Sequence, residues 1–347
     1  MMRIRWLAAA AAALAVVLAV AQVSVGRRSP TPTVRVGVAL YDQTDTFLST
    51  LTQHLEEMFR EEEQQRGIKI NLSLADGRGS QSVQNEQVDR FLDLGYDVIC
   101  VNLVDRTAAA VIVDKAQEAG VPVIFFNREP VEEDLFRWDG VYYVGSPGEE
   151  AGRLQGMLVL SAWRANADAL DRNGDGVVQY VMLEGEPGHQ DALLRTEYSV
   201  QTLVTGGVPV EKLDSAAANW QRSQAAERMR QWLQTLDGQI EVVFANNDDM
   251  ALGAIDACLE AEMTAEDMPF IVGVDATPPA LDALRAGTLR GTVRNDARGQ
   301  AENIVALSCA LAEGTDPAQA VELEAGKYVW LSYTTVTAAD VRTGQPR

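Results

Sequence analysis

From Thr33 onward, short apolar runs alternate with longer segments whose apolar residues recur every three or four positions. The runs Val34–Leu40, Lys69–Ala75, Val98–Val101 and Val123–Phe126 read as strands. A second set follows at Val178–Leu183, Val242–Ala245, Ile271–Val274 and Thr292–Arg294. Between them, Phe47–Gln65, Ser80–Leu94, Arg106–Ala119, Asp191–Thr205, Ser223–Leu236, Asp248–Glu260 and Pro278–Ala286 carry helical periodicity. Near-continuous apolar strands alternating with amphipathic helices predict parallel sheets covered on both faces. Two such sets predict two doubly wound α/β domains.

The strand ends carry the chemistry. Tyr41 to Phe47, holding Asp45, follows the first strand, Asn102 the third and Asn127 the fourth. In the second set these places hold His189, Asp191, Asn247, Asp275 and Asn295. Open α/β sheets bind ligands beside the carboxyl ends of their strands. Neither glycine-rich phosphate fingerprint occurs, G-x-G-x-x-G or G-x-x-x-x-G-K-[ST], so the expected ligand is neutral, polar and rich in hydroxyls.

Charge and composition narrow the partners. With 29 Lys+Arg against 50 Asp+Glu the formal net charge is −21, which argues against a nucleic-acid partner that needs a basic face. Two histidines (His54, His189) and three cysteines (Cys100, Cys258, Cys309) leave little material for zinc sites or thiol chemistry. The cysteines read as buried small hydrophobes rather than disulfide partners. His54 reads as an ordinary helix residue. Arg3 and Arg5 precede an apolar run from Trp6 to Ala21, only 16 residues long and half alanine. A basic start, a short apolar stretch and a small-x-small end predict a secretory signal. An uncleaved anchor is the alternative, against which stands the roughly 18–20 residues a bilayer span needs.

Asp171-Arg-Asn-Gly-Asp-Gly-Val-Val-Gln179 is the sharpest local pattern. Oxygen side chains occupy loop positions one, three, five and nine (Asp171, Asn173, Asp175, Gln179), Gly176 stands at six and the Val177 carbonyl at seven. This is the spacing of an EF-hand calcium loop, whose ion takes six to eight oxygens at about 2.3–2.6 Å. Position twelve is Met182, so a carboxylate from elsewhere must close the cage. An Asp/Asn/Gly turn without metal is the plainer alternative.

Several stretches together resemble the bacterial galactose/glucose-binding proteins of the periplasmic type I sugar-binding fold, over about Val34 to Tyr333. They are Asp45-Thr-Phe47, Val101-Asn-Leu-Val-Asp105, Phe125-Phe-Asn127, Gly185-Glu-Pro-Gly-His-Gln-Asp191, Ala245-Asn-Asn-Asp248, Gly273-Val-Asp275 and Gly291-Thr-Val-Arg-Asn-Asp296. The resemblance implies a pyranose site with Phe47 and Trp220 on the two ring faces. Asp45 and Asn102 would come from the first domain; His189, Asp191, Arg195, Asn247, Asp275 and Asn295 from the second or the boundary. It also implies that Glu241 closes the calcium loop, making Ca2+ a structural cofactor. The pattern departs from the family at Tyr41-Asp-Gln-Thr and at Gln190, where proline is common.

The fold implied is periplasmic-binding-protein type I, two doubly wound parallel-sheet domains joined by a three-strand hinge near Phe126, Asn295 and Leu331. Residues 1–32 would be signal or anchor plus linker. Residues 33–126 with 296–331 would form the first lobe, and 127–295 with 332–347 the second. The expected function is extracytoplasmic delivery of D-glucose or D-galactose to an ABC transporter permease by a monomer. A sensor presenting the loaded form to a chemoreceptor or membrane kinase shares this site. A glycoside hydrolase using Asp45 and Asp191 is the enzymatic reading, which the resemblance does not support.

Overall fold

The computed structural model describes residues 33–236 and 238–342. The export signal read at 1–32 lies outside them, as do residues 343–347. Among the described residues twelve strands form two six-stranded sheets. In chain order they are β1 (Thr33–Leu40), β2 (Lys69–Asp76), β3 (Val98–Val101), β4 (Val123–Phe126), β5 (Val141–Gly145) and β6 (Val178–Glu184). Then come β7 (Val210–Ala217), β8 (Val242–Ala245), β9 (Phe270–Val272), β10 (Gly291–Arg294), β11 (Tyr328–Trp330) and β12 (Thr334–Thr337). The sheets run β11-β5-β4-β3-β1-β2 and β12-β10-β9-β8-β6-β7. All pairings are parallel except β10 with β12 at the edge of the second sheet.

Local sequence explains the elements. The helix Thr46–Arg66 buries Phe47, Leu48, Leu51, Leu55, Met58 and Phe59, a stripe at three- and four-residue spacing. The Asp45 side chain caps its start and Gly67 ends it in the left-handed conformation. Strands β3, β4 and β8 are buried along their whole length, as expected of sheets covered on both faces. Cys100, Cys258 and Cys309 are free and buried, and burial pushes the thiols of Cys100 and Cys258 up to about 12.

One boundary needs correction. β5 pairs with β4 and β11 in the first sheet, so residues 127–145 belong to the first lobe and the chain first crosses near Ser146, not near Phe126. The other two crossings fall where the sequence places them, between Arg294 and Ala297 and between Trp330 and Tyr333. The helix after the crossing, Gly148–Ala165, carries no predicted element because its glycines break the signal. Those glycines permit close packing: a Cβ at Gly156 would stand 2.3 Å from the Ser199 carbonyl oxygen, and one at Gly152 2.9 Å from that of Leu194. Among the described residues no helix is long and apolar enough to cross a membrane.

Candidate functional site

In the first sheet β1 lies between β2 and β3, and in the second β6 lies between β7 and β8. Chain direction across each sheet therefore reverses at these strands, and loops leaving their carboxyl ends diverge to open a crevice. The two crevices face each other. Eight of the ten sugar-site residues expected from sequence line the cleft between them: Asp45, Phe47, His189, Asp191, Arg195, Trp220, Asn247 and Asp275. Tyr41, Asn127 and Arg128 complete the wall.

The remaining two stand behind it. Asn102 is fully buried, donating to the Phe126 carbonyl at 3.0 Å and to Asn127 Oδ1 at 3.1 Å, so it props Asn127 from below. Asn295 accepts from Gln300 Nε2 at 2.8 Å and lies 3.4 Å from Asp275 Oδ1, which it backs. Tyr41 and Arg128 escaped the sequence reading because an aromatic or basic residue after a strand carries no distinctive spacing.

Most polar groups in the cleft are held by a second bond from their own lobe. Asp45 accepts from Leu48 N–H through Oδ1 at 2.9 Å and from the Tyr41 hydroxyl through Oδ2 at 2.6 Å. Arg195 donates to Asp191 Oδ2 at 2.9 Å, the Asn246 carbonyl at 2.9 Å and the Tyr333 hydroxyl at 3.1 Å. Asn247 caps the helix Asp248–Glu260 by accepting from Met250 N–H, and its amide donates to the Trp220 carbonyl at 3.3 Å. Such bracing fixes rotamers before any ligand arrives.

Electrostatics make the site a set of neutral donors and tightly held charges. His189 Nδ1 accepts from Asp191 N–H at 3.1 Å, which leaves the ring proton on Nε2 as a donor. Burial, then Arg128, Arg195 and Arg106, hold this imidazole well below its ordinary value, so it is neutral at pH 7. Burial raises Asp191 and raises Asp275 well above the carboxylate range; Arg195 opposes both. Two buried donors on cleft residues, Arg195 Nε and Trp220 Nε1, have no partner within the protein. An unmet buried donor costs about 1–3 kcal/mol, which a ligand oxygen can recover.

Trp220 owes its pose to backbone geometry. Asn219 and Trp220 both take left-handed φ, 51° and 65°. The indole lies so close over Gly185 that a Cβ there would sit 2.1 Å from its ring. The indole and the His189 ring stand nearly perpendicular, centroids 5.0 Å apart. Asn127 and Asp275 also have positive φ, 60° and 116°, so backbone strain gathers along the cleft.

The lobes meet around this cleft. Thr46 Oγ1 donates to Asp249 Oδ2 at 2.6 Å, Gln190 Nε2 to Glu129 Oε2 at 3.0 Å, and Arg128 pairs with Glu186 at 3.1 Å. Each contact joins a first-lobe residue to a second-lobe residue.

The loop Asp171–Gln179 lies at the start of β6, away from the cleft. Asp171 accepts from Gly174, Asp175 and Gly176 N–H, and Asp175 from Val177 N–H, folding the loop back on itself. Asn173 Nδ2 stands between Asp175 Oδ2 at 3.0 Å and Gln179 Oε1 at 3.3 Å, so positions three, five and nine converge. Glu241, at the start of β8, reaches over and accepts from Arg172 N–H at 2.6 Å and Gln179 N–H at 3.0 Å. Among the described residues no three His, Cys, Asp or Glu form a metal-holding group by themselves. The donor set of this loop is mixed: two Asp, one Glu, two amides and a carbonyl.

Two parallel-sheet lobes, three chain crossings and a braced polar cleft between strand ends define a bilobal solute-binding protein. The profile of the periplasmic binding protein domain matches residues 36–316, and the chain belongs to that family, whose members bind solutes and are not enzymes. It is 38% identical over 291 residues to the D-galactose/methyl-galactoside binding periplasmic protein MglB of Haemophilus influenzae, covering 84% of this chain and 85% of that protein. A putative rhizopine-binding protein of Rhizobium meliloti is 33% identical, covering 78% and 81%. An ABC transporter solute-binding protein of Bacillus halodurans with bound myo-inositol superposes with a TM-score of 0.73 at 29% identity, covering 91% of this chain and 98% of that one.

Proposed function

We propose that this protein binds a hexopyranose, D-galactose or D-glucose, in the cleft between its lobes and delivers it outside the cytoplasm to an ABC transporter permease. The observation that carries this reading is the grouping of Asp45, Asp191, Arg195, Asn247 and Asp275 with the rings of Phe47 and Trp220 in one cleft between the lobes. Carboxylates, amides and a guanidinium offer paired acceptors or donors that straddle neighbouring hydroxyls. Aromatic rings suit the apolar C–H faces of a pyranose and keep water off its hydrogen bonds. The 38% identical galactose-binding relative supports the hexose, and the periplasmic family supports export.

The mechanism is hinge closure. The sugar first meets one lobe; rotation about the three crossings brings the other against it, and binding shifts the population toward the closed form. Closure places both lobes in the relative spacing a permease can read. A calcium ion at the second-lobe loop belongs to the same reading. Asp171, Asn173, Asp175, the Val177 carbonyl, Gln179 and Glu241 would hold it, and it would cross-link the segment before β6 to the start of β8. The convergence of positions three, five and nine and the placement of Glu241 support this assignment.

Calorimetry of the mature protein against D-galactose, D-glucose, D-ribose, myo-inositol and xylitol tests the ligand. Heat with a hexose at micromolar affinity is the expected outcome. Silence with both hexoses but binding of myo-inositol would move the assignment to cyclitols, the ligand class of the Bacillus halodurans structure.

A further inference from the structure

Arg128 enters the cleft by an unusual route. It follows a three-residue turn centred on Asn127, in which Arg128 N–H donates to the Phe126 carbonyl at 2.7 Å while Asn127 holds φ at 60°. That hand of a three-residue turn is rare and strained, and such strain persists where the surroundings exploit it. The turn is braced from both sides: Asn127 N–H donates to the Val144 carbonyl, and Asn102 donates to Asn127 Oδ1.

The guanidinium then lies flat on Tyr41, 3.4 Å from the ring centroid, with only 6% of its side chain exposed. Nη1 donates to the Val104 carbonyl at 3.2 Å and pairs with Glu186 Oε2 at 3.1 Å. Glu186 belongs to the loop after β6, on the other lobe. Tyr41, under the guanidinium, is the residue whose hydroxyl holds Asp45. One chain of contacts therefore runs from the second-lobe Glu186 through Arg128 and Tyr41 to a ligand-facing carboxylate of the first lobe.

We propose that Arg128 is a positioning residue whose ion pair with Glu186 clasps the two lobes and sets how long the closed cleft holds its ligand. This rests on the cleft being the ligand site. Opening separates the pair and leaves a guanidinium that its own lobe only half satisfies, through the Tyr41 ring and one carbonyl. The guanidinium is desolvated while Glu186 keeps 35% of its side chain exposed, and removing the partner of a buried charge acts mainly on dissociation. Encounter with the open form needs no clasp, so association is left to diffusion and lobe geometry.

The test is Glu186→Gln, which keeps the shape and leaves Arg128 in place. Stopped-flow measurements with D-galactose and D-glucose should show dissociation faster by about tenfold and association changed less than about twofold. The double variant Arg128→Gln/Glu186→Gln should dissociate no faster than Arg128→Gln alone, the non-additivity expected of a direct pair. In the ligand-free protein, spin labels at the exposed positions Leu94 and Val204 should report a larger open population in Glu186→Gln. Should neither hexose bind the wild type, the hexose reading fails, and the label distances alone decide on the clasp. Unchanged distances and dissociation rates, even with a lowered melting temperature, overturn the proposal. If Glu186→Gln does not fold, Glu186→Asp must give an intermediate dissociation rate or open population, and wild-type values would overturn the clasp equally.

Discussion

The hydroxyl of Tyr41 lies 2.6 Å from Oδ2 of Asp45, four residues along the chain, and this bond holds the carboxylate toward the cleft. Without it, only the helix cap to Leu48 N–H would restrain Asp45. Tyr41→Phe should therefore weaken hexose binding by about tenfold, the value of one hydrogen bond to a charged group. Calorimetry alongside thermal melting separates the effects. A melting temperature that falls while affinity holds would assign Tyr41 to packing alone.

Gly185 offers a sharper probe of the indole. Its φ is not left-handed, so alanine is compatible with the backbone, yet the new Cβ would meet the Trp220 ring at 2.1 Å. Gly185→Ala should tilt the indole and reduce hexose affinity at least as much as Tyr41→Phe, while Trp220→Ala should abolish binding with the fold intact. Far-ultraviolet circular dichroism checks the fold and calorimetry the affinity. Unchanged affinity in Trp220→Ala would refute the stacking role.

Calcium makes a thermodynamic prediction. At a thousandfold excess over its Kd, a ligand bound only by the folded state contributes about 4 kcal/mol. In a chain of this size that is on the order of 10 °C in melting temperature. EDTA should lower the melting temperature accordingly and added Ca2+ restore it, whereas Glu241→Gln should melt low with or without EDTA. A wild-type curve indifferent to chelator removes calcium from the account.

Acidification should stabilise the folded state against unfolding through its buried carboxyl groups. Asp248 is fully buried, and burial pushes its carboxyl up to about 7 although Thr292, Thr277 and the Thr277 N–H all donate to it. Unfolded, the group titrates near 3.9. Between about pH 4 and pH 7 the native state thus binds more protons than the unfolded chain, and stability falls as pH rises through that window. Asp191 and Asp275 act in the same sense, while His189, held well below its ordinary value by burial, opposes them as the unfolded imidazole takes up its proton. The melting temperature should rise from pH 7.5 to pH 5.5, and Asp248→Asn should flatten that rise. An Asp248→Asn profile that parallels the wild type over this interval would contradict the burial argument.

Most of the fold was legible because it is written in period. Val98–Val101, Val123–Phe126, Val242–Ala245 and the helix Asp248–Glu260 lie where the apolar pattern places them. What escaped has physical causes. Strand β7 is half exposed at a sheet edge, and its Glu211-Lys212-Leu213-Asp214 reads as loop. Strand β5 carries two tyrosines whose hydroxyls dilute its apolar run, and without it the first crossing falls too early. The helix Gly148–Ala165 hides behind glycines that its neighbour requires.

The candidate site was legible to a different depth. Residue types at strand ends located the cleft walls, but spacing says nothing about which side chain faces in and which braces from behind. Asn102 and Asn295 look like Asn247 in sequence; only the hydrogen bonds place the first two in the supporting layer. Arg128 is the converse, a residue whose inward pose depends on a backbone turn that composition does not encode.

The three crossings also order the events of synthesis. The first sheet is bounded by β11 and the second by β12, so β5 and β10 gain their outer partners only from the last strands of the chain. A chain cut before Tyr328 would turn the inner strands β5 and β10 into sheet edges, each a template for aggregation.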